Sequence, residues 1–312
     1  MSLERALELA ERGRGTTRPN PVVGAVVVRD GRVVGEGWHE RKGGPHAEVV
    51  ALGAAGECAR GATLYVTMEP CAHYGATAPC TEAVIDAGIA KVVVGSRDPN
   101  PEAAGGSEVL RAAGVEVEDV GSFAARAQNE AWRTWISKRR PFVILKLAVT
   151  LDGHVALDDE RWISGEESRR YVHRLRAQVD AVAVGMGTVR ADDPQLTARD
   201  VDADRQPRRL AFGRGPLPEA SGLELRTAGL DEELTALAAE GVQSLLLEGG
   251  PTLAESFLRA DLVDKLLLFV APRTGGAGPR FAPALDGAVP LHGLQAARSG
   301  DDVLLSSYVH EP

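Results

Sequence analysis

Four residues in the first third of the chain have the types and the order of a catalytic zinc site. His46 and Glu48 stand in a His-Ala-Glu sequence, and Cys71 and Cys80 follow, each directly after a proline. One imidazole and two thiolates fill three positions of a tetrahedral zinc ion and leave the fourth for water. Zinc lowers the pKa of that water toward neutrality and so makes hydroxide available as a nucleophile. We therefore predict that His46, Cys71 and Cys80 hold zinc.

Glu48 is predicted to be the catalytic residue, because this ligand set does not need its carboxylate. A free carboxylate beside the activated water can accept a proton and deliver it to a departing amine. A His-x-Glu sequence followed by Pro-Cys and a second cysteine is typical of zinc nucleobase deaminases. The alternative is a non-catalytic zinc scaffold, in which Cys58 would be the fourth ligand. We expect Cys58 to be a small packing residue at the end of a helix instead.

Length and composition narrow the classes of protein. A chain of 312 residues favours two domains. The net charge of −9 argues against a nucleic-acid partner, because contact with phosphates needs a basic surface. The charged start of the chain does not resemble a signal peptide, and no apolar run approaches the length of a membrane span. Three cysteines do not make a disulfide framework, so we expect a cytoplasmic protein that binds neither nucleic acid nor membrane.

Strand and helix patterns alternate along both halves of the chain, which predicts an α/β fold with crossover helices. The basic run Lys138-Arg139-Arg140-Pro141 is predicted to be a solvated linker, so the domains are expected to span residues 1–140 and 141–312. His46 and Cys80 are predicted near helix N-termini, where the helix dipole favours a thiolate. On an ideal helix, positions 46 and 48 are about 200° apart, so both can reach one metal only if the first turn faces it.

Two glycine-rich segments in the second half follow predicted strands. Gly249-Gly250-Pro251-Thr252 also precedes a predicted helix, whose N-terminus would offer N–H groups to a phosphate. A plain strand-to-helix turn is the alternative. Gly185-Met186-Gly187-Thr188 is the second segment, and together they indicate a ligand crevice at the carboxyl ends of parallel strands. Asp192-Asp193-Pro194 is expected to be a turn.

Taken together, the two halves resemble the bifunctional riboflavin-biosynthesis deaminase–reductases, and the resemblance covers nearly the whole chain. In the first half it rests on Asn20-Pro21-Val22-Val23-Gly24, Gly37-Trp38-His39, His46-Ala47-Glu48, Glu69-Pro70-Cys71-Ala72-His73-Tyr74-Gly75, Pro79-Cys80 and Asp98-Pro99-Asn100-Pro101. In the second half it rests on Lys146-Leu147-Ala148, Leu151-Asp152-Gly153, Trp162-Ile163-Ser164, Arg176-Ala177-Gln178, Gly187-Thr188-Val189, Asp192-Asp193-Pro194-Gln195-Leu196-Thr197 and Glu248-Gly249-Gly250-Pro251.

The resemblance implies a cytidine-deaminase-like three-layer N-terminal domain and a dihydrofolate-reductase-like C-terminal domain. It implies two consecutive reactions. The first is zinc-dependent deamination of 2,5-diamino-6-ribosylamino-4(3H)-pyrimidinone 5′-phosphate, and the second is reduction of the ribosyl chain of 5-amino-6-(5-phosphoribosylamino)uracil to ribityl by NADPH. Crevices of this class are often completed by a second copy of the chain, so we expect a homo-oligomer.

The resemblance also implies which residues bind the ligands. The implied deaminase substrate contacts are Asn20, His39, Asp98 and Asn100. The implied NADPH contacts are Ala148, Trp162, Thr188, Asp192, Gly250, Pro251, Thr252, Leu253, Ala254, Glu255 and Ser256. The implied reductase substrate contacts are Glu160, Arg176, Leu196, Arg199 and Glu248. A guanidinium fork such as those of the two arginines suits a substrate phosphate, and the alternative, above all for Arg199, is a surface ion pair.

The chain departs from the family pattern at three places. Ala76 stands where the family carries a lysine or arginine suited to the substrate phosphate, and residues 103–107 lack another such cation. Glu160 stands where a small polar substrate contact is expected. A charge-assisted hydrogen bond contributes about 1.5–3 kcal/mol, so its loss weakens binding. These departures motivate one alternative function, a related enzyme that acts on a different aminopyrimidine. A second alternative is a nucleic-acid base deaminase, although the acidic net charge argues against it.

Overall fold

The computed structural model describes residues 2–75, 78–157, 160, 162–203, 205–275, 279–281 and 288–312. Contacts divide the chain into two compact units, Met1–Lys138 with Pro312, and Arg139–Glu311. Among the helices within the described ranges, none is both long and apolar enough to cross a membrane.

The first unit is built on a five-stranded sheet with the order β2-β1-β3-β4-β5. Its strands are β1 (Gly24–Arg29), β2 (Arg32–Trp38), β3 (Thr63–Val66), β4 (Lys91–Val94) and β5 (Glu116–Asp119). Its helices are α1 (Ser2–Glu11), α2 (Ala47–Ala55), α3 (Cys80–Asp86), α4 (Gly106–Ala112), α5 (Phe123–Gln128) and α6 (Glu130–Lys138). The strands β1, β2 and β3 pair antiparallel, and β3, β4 and β5 pair parallel.

Helices cover both faces of this sheet, because successive strand residues point to opposite sides. In β1, Ala25 and Val27 pack with α2, α3 and α4, whereas Val26 packs with Ala6 and Leu9 of α1. The β1–β2 hairpin turns at Asp30-Gly31, where both residues have positive φ, as a tight two-residue turn requires. The predicted three-layer domain is thus confirmed.

The second unit is built on an eight-stranded sheet with the order β12-β13-β11-β6-β10-β7-β8-β9. Its strands are β6 (Phe142–Thr150), β7 (Ala181–Gly185), β8 (Arg208–Phe212), β9 (Glu224–Arg226), β10 (Ser244–Leu247), β11 (Lys265–Ala271), β12 (His292–Ser299) and β13 (Asp302–Tyr308). Its helices are α7 (Glu166–Gln178), α8 (Met186–Asp192), α9 (Leu230–Ala239) and α10 (Pro251–Arg259). Neighbouring strands pair parallel along β11-β6-β10-β7-β8-β9. At the other edge, β13 pairs antiparallel with β11, and β12 pairs antiparallel with β13.

Four elements were not predicted. The helices α4 and α8 are short and begin within glycine-rich segments, and the strands β9 and β12 are largely exposed, so none of the four carries a clear apolar period. Residues 123–133 have a helical pattern, but the structure breaks it at Asn129, between α5 and α6. Its side chain exchanges two hydrogen bonds of 2.9 Å with the backbone of Val22, a contact across 107 residues of sequence.

The prediction of a solvated linker is wrong at Arg140. Its guanidinium is buried and donates to both carboxylate oxygens of Asp264, at 2.6 and 2.8 Å. That partner is 124 residues away in sequence, so nothing in the basic run itself reveals the ion pair. The expectation that Cys58 packs as a small hydrophobe is also wrong, because its side chain is exposed in the 3-10 turn that follows α2.

Candidate active sites

The three predicted zinc ligands come together in the first unit. Their ligating atoms all lie within 4.8 Å of one another. The Nδ1 atom of His46 is 3.1 Å from the Sγ of Cys80 and 3.6 Å from the Sγ of Cys71. Zn–N bonds of about 2.0–2.1 Å and Zn–S bonds of about 2.3 Å at a tetrahedral angle place nitrogen and sulfur about 3.6 Å apart. The donor set and its spacing therefore fit one zinc ion.

Helix ends position two of these ligands. His46 is the N-cap residue of α2 with an extended backbone (φ −72°, ψ 158°), and Cys80 is the first residue of α3. Because His46 lies outside the helix, the angle of about 200° expected on an ideal helix does not separate it from Glu48. The close approach of α2 to β2 depends on Gly37, where a Cβ atom would lie 2.6 Å from the carbonyl oxygen of Ala47.

Electrostatics favour a negative charge among the ligands. The hydrogen bond from the Cys80 thiol and that from His46 lower the pKa of Cys71 to about 4, although its burial opposes this. The pKa of Cys80 is raised because its thiol donates that hydrogen bond and is buried. One thiolate is thus stabilised by its neighbours even before a cation adds its own charge. Glu48 is only 3 % exposed, and this burial raises the pKa of its carboxyl, so the carboxyl holds a proton more firmly than an exposed glutamate does.

A cavity of about 530 Å³ opens beside these residues. All four implied deaminase substrate contacts line it, together with Glu48. These contacts are Asn20, His39, Asp98 and Asn100. Sequence reasoning missed the apolar wall that α6 contributes with Trp132, Trp135 and Ile136. The signal for it was present, since residues at these spacings share one face of a helix.

His39 has one ring nitrogen available to a ligand. Its Nδ1 atom lies 3.0 Å from the carbonyl oxygen of Pro45, so this nitrogen carries the proton and donates. Its Nε2 atom is buried and has no hydrogen-bond partner among the described residues. A buried polar atom without a partner is costly, and a bound molecule that donates to Nε2 would satisfy it.

Glu69 is a second residue that sequence reasoning missed. It is buried, and its carboxylate accepts hydrogen bonds from the backbone N–H groups of Asp98, at 3.1 Å, and Ser107, at 2.8 Å. Burial raises the pKa of Asp98 to about 6. Gly106 lies against Pro70, where an added Cβ would stand 1.8 Å from the carbonyl oxygen. Glu69 and Gly106 thus position the segments that carry Asp98 and Cys71.

A second cavity, of about 560 Å³, lies in the second unit at the carboxyl ends of β6, β7 and β10. The implied cofactor residues that line it are Ala148, Trp162, Thr188, Asp192, Gly250 and Pro251. The implied substrate residues that line it are Arg176, Leu196, Arg199 and Glu248. Such a crevice at strand ends is where open parallel sheets bind ligands.

The remaining implied residues of the second unit do not line this cavity. Thr252, Leu253, Ala254, Glu255 and Ser256 continue α10. The Ala254 side chain is fully buried in the core, and Glu255 pairs with Arg259 at 2.8 Å. Glu160 is exposed and pairs with Arg273 at 2.6 Å.

Arg176 is held by a neighbour in this cavity. Its Nε and Nη2 atoms donate to the carboxylate oxygens of Glu248, at 2.6 and 3.0 Å, and its Nη1 donates to the carbonyl of Thr197 at 3.1 Å. The fork expected to bind a phosphate is therefore occupied by Glu248. Arg199 forms no ion pair within the described part of the chain, so its guanidinium is the better candidate for binding a phosphate. Lys146, which sequence reasoning left without a role, lines the cavity, and its burial lowers its pKa.

A His-Cys-Cys-Glu centre in a three-layer domain defines a zinc deaminase, and a second unit with a mostly parallel sheet and its own crevice follows it. Residues 2–96 match the cytidine and deoxycytidylate deaminase zinc-binding region, and residues 141–305 match the RibD C-terminal domain. The chain belongs to the RibD family of bifunctional riboflavin-biosynthesis deaminase–reductases.

Relatives and solved structures agree with this assignment. The riboflavin biosynthesis protein RibD of Aquifex aeolicus is 44% identical over 88% of this chain and 87% of its own. That of Mycobacterium tuberculosis is 46% identical over 86% of this chain and 83% of its own. The RibD structure from Acinetobacter baumannii has a TM-score of 0.84 at 36% identity, covering 98% of this chain and 97% of that chain. A diaminohydroxyphosphoribosylaminopyrimidine deaminase/5-amino-6-(5-phosphoribosylamino)uracil reductase structure from Thermotoga maritima has a TM-score of 0.80 at 36% identity, with the same coverage.

The family assignment confirms several predictions. The fold class, the two activities in riboflavin biosynthesis and the small-molecule pyrimidine substrate are as predicted. So are the cofactors, which are zinc for the deaminase and NADPH for the reductase. The individual roles of the site residues stay predictions.

Proposed function

We propose that residues 1–140 deaminate 2,5-diamino-6-ribosylamino-4(3H)-pyrimidinone 5′-phosphate and that residues 141–312 reduce the ribosyl chain of the product with NADPH. The observation that carries the proposal is the convergence of His46, Cys71 and Cys80 beside the buried Glu48, in a cavity of small-molecule size. The second cavity, in the same chain, supports the second step.

In the first step the protein's own groups bind the substrate and move protons. Zinc, when bound, supplies a water molecule of lowered pKa. The Glu48 carboxylate accepts a proton and passes it to the departing amine, for which its raised pKa is suited. His39 accepts a hydrogen bond from the substrate at Nε2, while Asn20 and Asn100 orient the substrate by their amide groups. The wall from α6 excludes water from the apolar side of the pyrimidine.

In the second step NADPH supplies the hydride when bound. Gly250 is the N-cap of α10 and Pro251 its first residue, so free backbone N–H groups at this helix start suit a cofactor phosphate. Thr188 and Asp192 on α8 face the same cavity, as Ala148 and Trp162 do from other segments. Arg199 is proposed to bind the substrate phosphate, and the Arg176–Glu248 pair is proposed to contact the ribosyl chain.

The decisive test is mass-spectrometric analysis of products from the phosphorylated pyrimidine with zinc and NADPH. We expect the wild-type chain to give the deaminated and then the reduced product. Glu48→Gln is expected to keep zinc but to lose about 10²- to 10⁴-fold in deamination rate, because the proton carrier is removed. It is expected still to reduce the deaminated intermediate when this is supplied. Glu57→Gln is the matched control, an exposed glutamate just after α2.

Either of two results would count against this mechanism. Undiminished deamination by Glu48→Gln would remove its role as proton carrier. Equal wild-type rates with and without the substrate phosphate would favour the related enzyme for a different aminopyrimidine. That alternative is motivated by Ala76, which lies outside the described residues. We also propose a cytoplasmic homo-oligomer, which light scattering of the purified protein and fractionation of its cells would test.

A further inference from the structure

The deaminase cavity contains a cation that the family resemblance does not assign. Lys42 is the only lysine or arginine among the described residues that line this cavity. Residues 76 and 77, which the structure does not describe, are alanine and threonine and carry no charge wherever they lie. Three acidic residues, Glu48, Glu69 and Asp98, also line it, together with the histidines His39, His46 and His73. An anionic substrate group therefore has one lysine or arginine to meet.

The loop that carries Lys42 is fixed at its base. The backbone N–H of Lys42 donates to the carbonyl of Thr16 at 3.2 Å, and the Thr16 hydroxyl donates to the carbonyl of Glu40. Within the loop, the N–H of Gly44 donates to the carbonyl of Arg41 at 3.0 Å, and His39 bonds to Pro45. This loop connects His39 with His46, so it presents Lys42 from a defined position next to the site.

The charge of Lys42 is not used elsewhere. Its side chain is exposed and forms no ion pair or hydrogen bond within the part of the chain that the structure describes. By contrast, Arg97 pairs with Asp119 at 2.8 Å, and Arg133 donates to the carbonyl of Arg97 at 2.9 Å. These two arginines of the same unit are already engaged, and they do not line the cavity.

We propose that Lys42 binds the 5′-phosphate of the deaminase substrate. This inference rests on the proposed function, because that function supplies the phosphate. A lysine ammonium is a compact charge with three donors, and such groups commonly bind phosphates. Lys42 is exposed and Glu48 is buried. A phosphate bound at Lys42 therefore allows the pyrimidine to extend inward to Glu48. Lys42 then supplies the cation that Ala76 lacks.

The test compares kinetic constants for deamination of the pyrimidine with and without its 5′-phosphate. Lys42→Ala is expected to raise KM for the phosphorylated substrate about five- to ten-fold, between the effect of an exposed ion pair and that of a charged hydrogen bond. We expect kcat, zinc content and KM for the dephosphorylated pyrimidine to stay unchanged. Lys42→Arg should restore most of the affinity. Arg41→Ala is the matched control, because this neighbouring exposed cation does not line the cavity.

The outcomes distinguish the Lys42 assignment from the proposed function. If the wild-type chain deaminates the phosphorylated pyrimidine and Lys42→Ala has the same KM, the Lys42 assignment is wrong while the proposed function stands. An equal rise in KM for both substrates would also overturn it, since the effect would not involve the phosphate. If the wild-type chain does not deaminate the phosphorylated pyrimidine at all, the proposed function fails and this inference fails with it.

Discussion

The ion pair between Arg140 and Asp264 is expected to contribute measurably to the stability of the second unit. The side chain of Asp264 is 1% exposed, and that of Arg140 is 11% exposed. Asp264 also accepts a hydrogen bond from the backbone N–H of Val143 at 2.9 Å, at the start of β6. Asp264→Asn keeps the size of the side chain but removes its charge and replaces one acceptor oxygen by a donor.

The magnitude follows from the pKa of Asp264. Burial alone would raise this pKa, but hydrogen bonds from His310 and Arg140, the charge of Arg140 and the N–H of Val143 lower it from 3.8 to about 2. Each pKa unit corresponds to about 1.4 kcal/mol, so the carboxylate contributes about 2 kcal/mol at neutral pH. Because the folded pKa lies below the unfolded one, this contribution is complete above about pH 5. It is lost as the pH falls from there toward 2.

Urea unfolding followed by circular dichroism provides the measurement. At pH 7 we expect Asp264→Asn to lower the free energy of unfolding by about 2–4 kcal/mol, since an unpaired buried arginine adds to the loss. The control is Asp261→Asn. Asp261 also contacts His310, at 3.0 Å, but its side chain is 81% exposed, so we expect a loss below about 1 kcal/mol. The difference between wild type and Asp264→Asn should shrink between pH 5 and 3. Equal effects of the two variants, or a difference that does not depend on pH, would refute the reasoning.

Three further predictions concern the two sites. Gly106→Ala should weaken zinc binding and deamination about ten-fold or more, because its Cβ would stand 1.8 Å from the Pro70 oxygen, next to a zinc ligand. Gly53→Ala in α2, with no atom within 4 Å of the added Cβ, should be neutral or slightly stabilising, and zinc titration distinguishes the two variants. Removal of zinc by a chelator should abolish deamination but leave NADPH-dependent reduction of the deaminated pyrimidine intact, as absorbance assays of the two steps would show. Glu248→Gln should lower reductase activity and stability together, by about 2–3 kcal/mol in unfolding, because it breaks the pair with Arg176, whose side chain is only 13% exposed. Unchanged reductase kinetics would contradict this last prediction.

Much of the fold is visible in the sequence. The strands β1 and β10 are short runs of mostly buried residues, β3 alternates between half-buried and buried residues, and the helices α1 and α7 are clearly amphipathic, so residue order alone indicates these elements. The elements that were missed, α4, α8, β9 and β12, are short or largely exposed and show no clear apolar period, and one helix break depends on a distant partner. This break, at Asn129, depends on hydrogen bonds to Val22, and no local pattern encodes such a contact.

The zinc chemistry was determined by the sequence. Few reactions combine one histidine, two cysteines and a spare glutamate in this order, so residue types alone indicated the ligands, the metal and the proton carrier. How these residues meet depends on the folded chain. The extended backbone at His46 removes the angular separation that an ideal helix would impose, and Glu69 and Gly106 hold the segments that complete the cavity.

The roles of three charged side chains differ between the sequence and the folded chain. The sequence predicts a solvated linker at Arg140, the family resemblance implies a substrate contact at Arg176, and neither gives Lys42 a role. In the folded chain Arg140 is buried against Asp264, Arg176 is held by Glu248, and Lys42 lines a cavity without an ion-pair partner among the described residues. The role of a charge depends on the partner that the fold brings to it and on how much water remains around it. Neither the partner nor the amount of water can be read from the local sequence, because both depend on residues that only folding brings close.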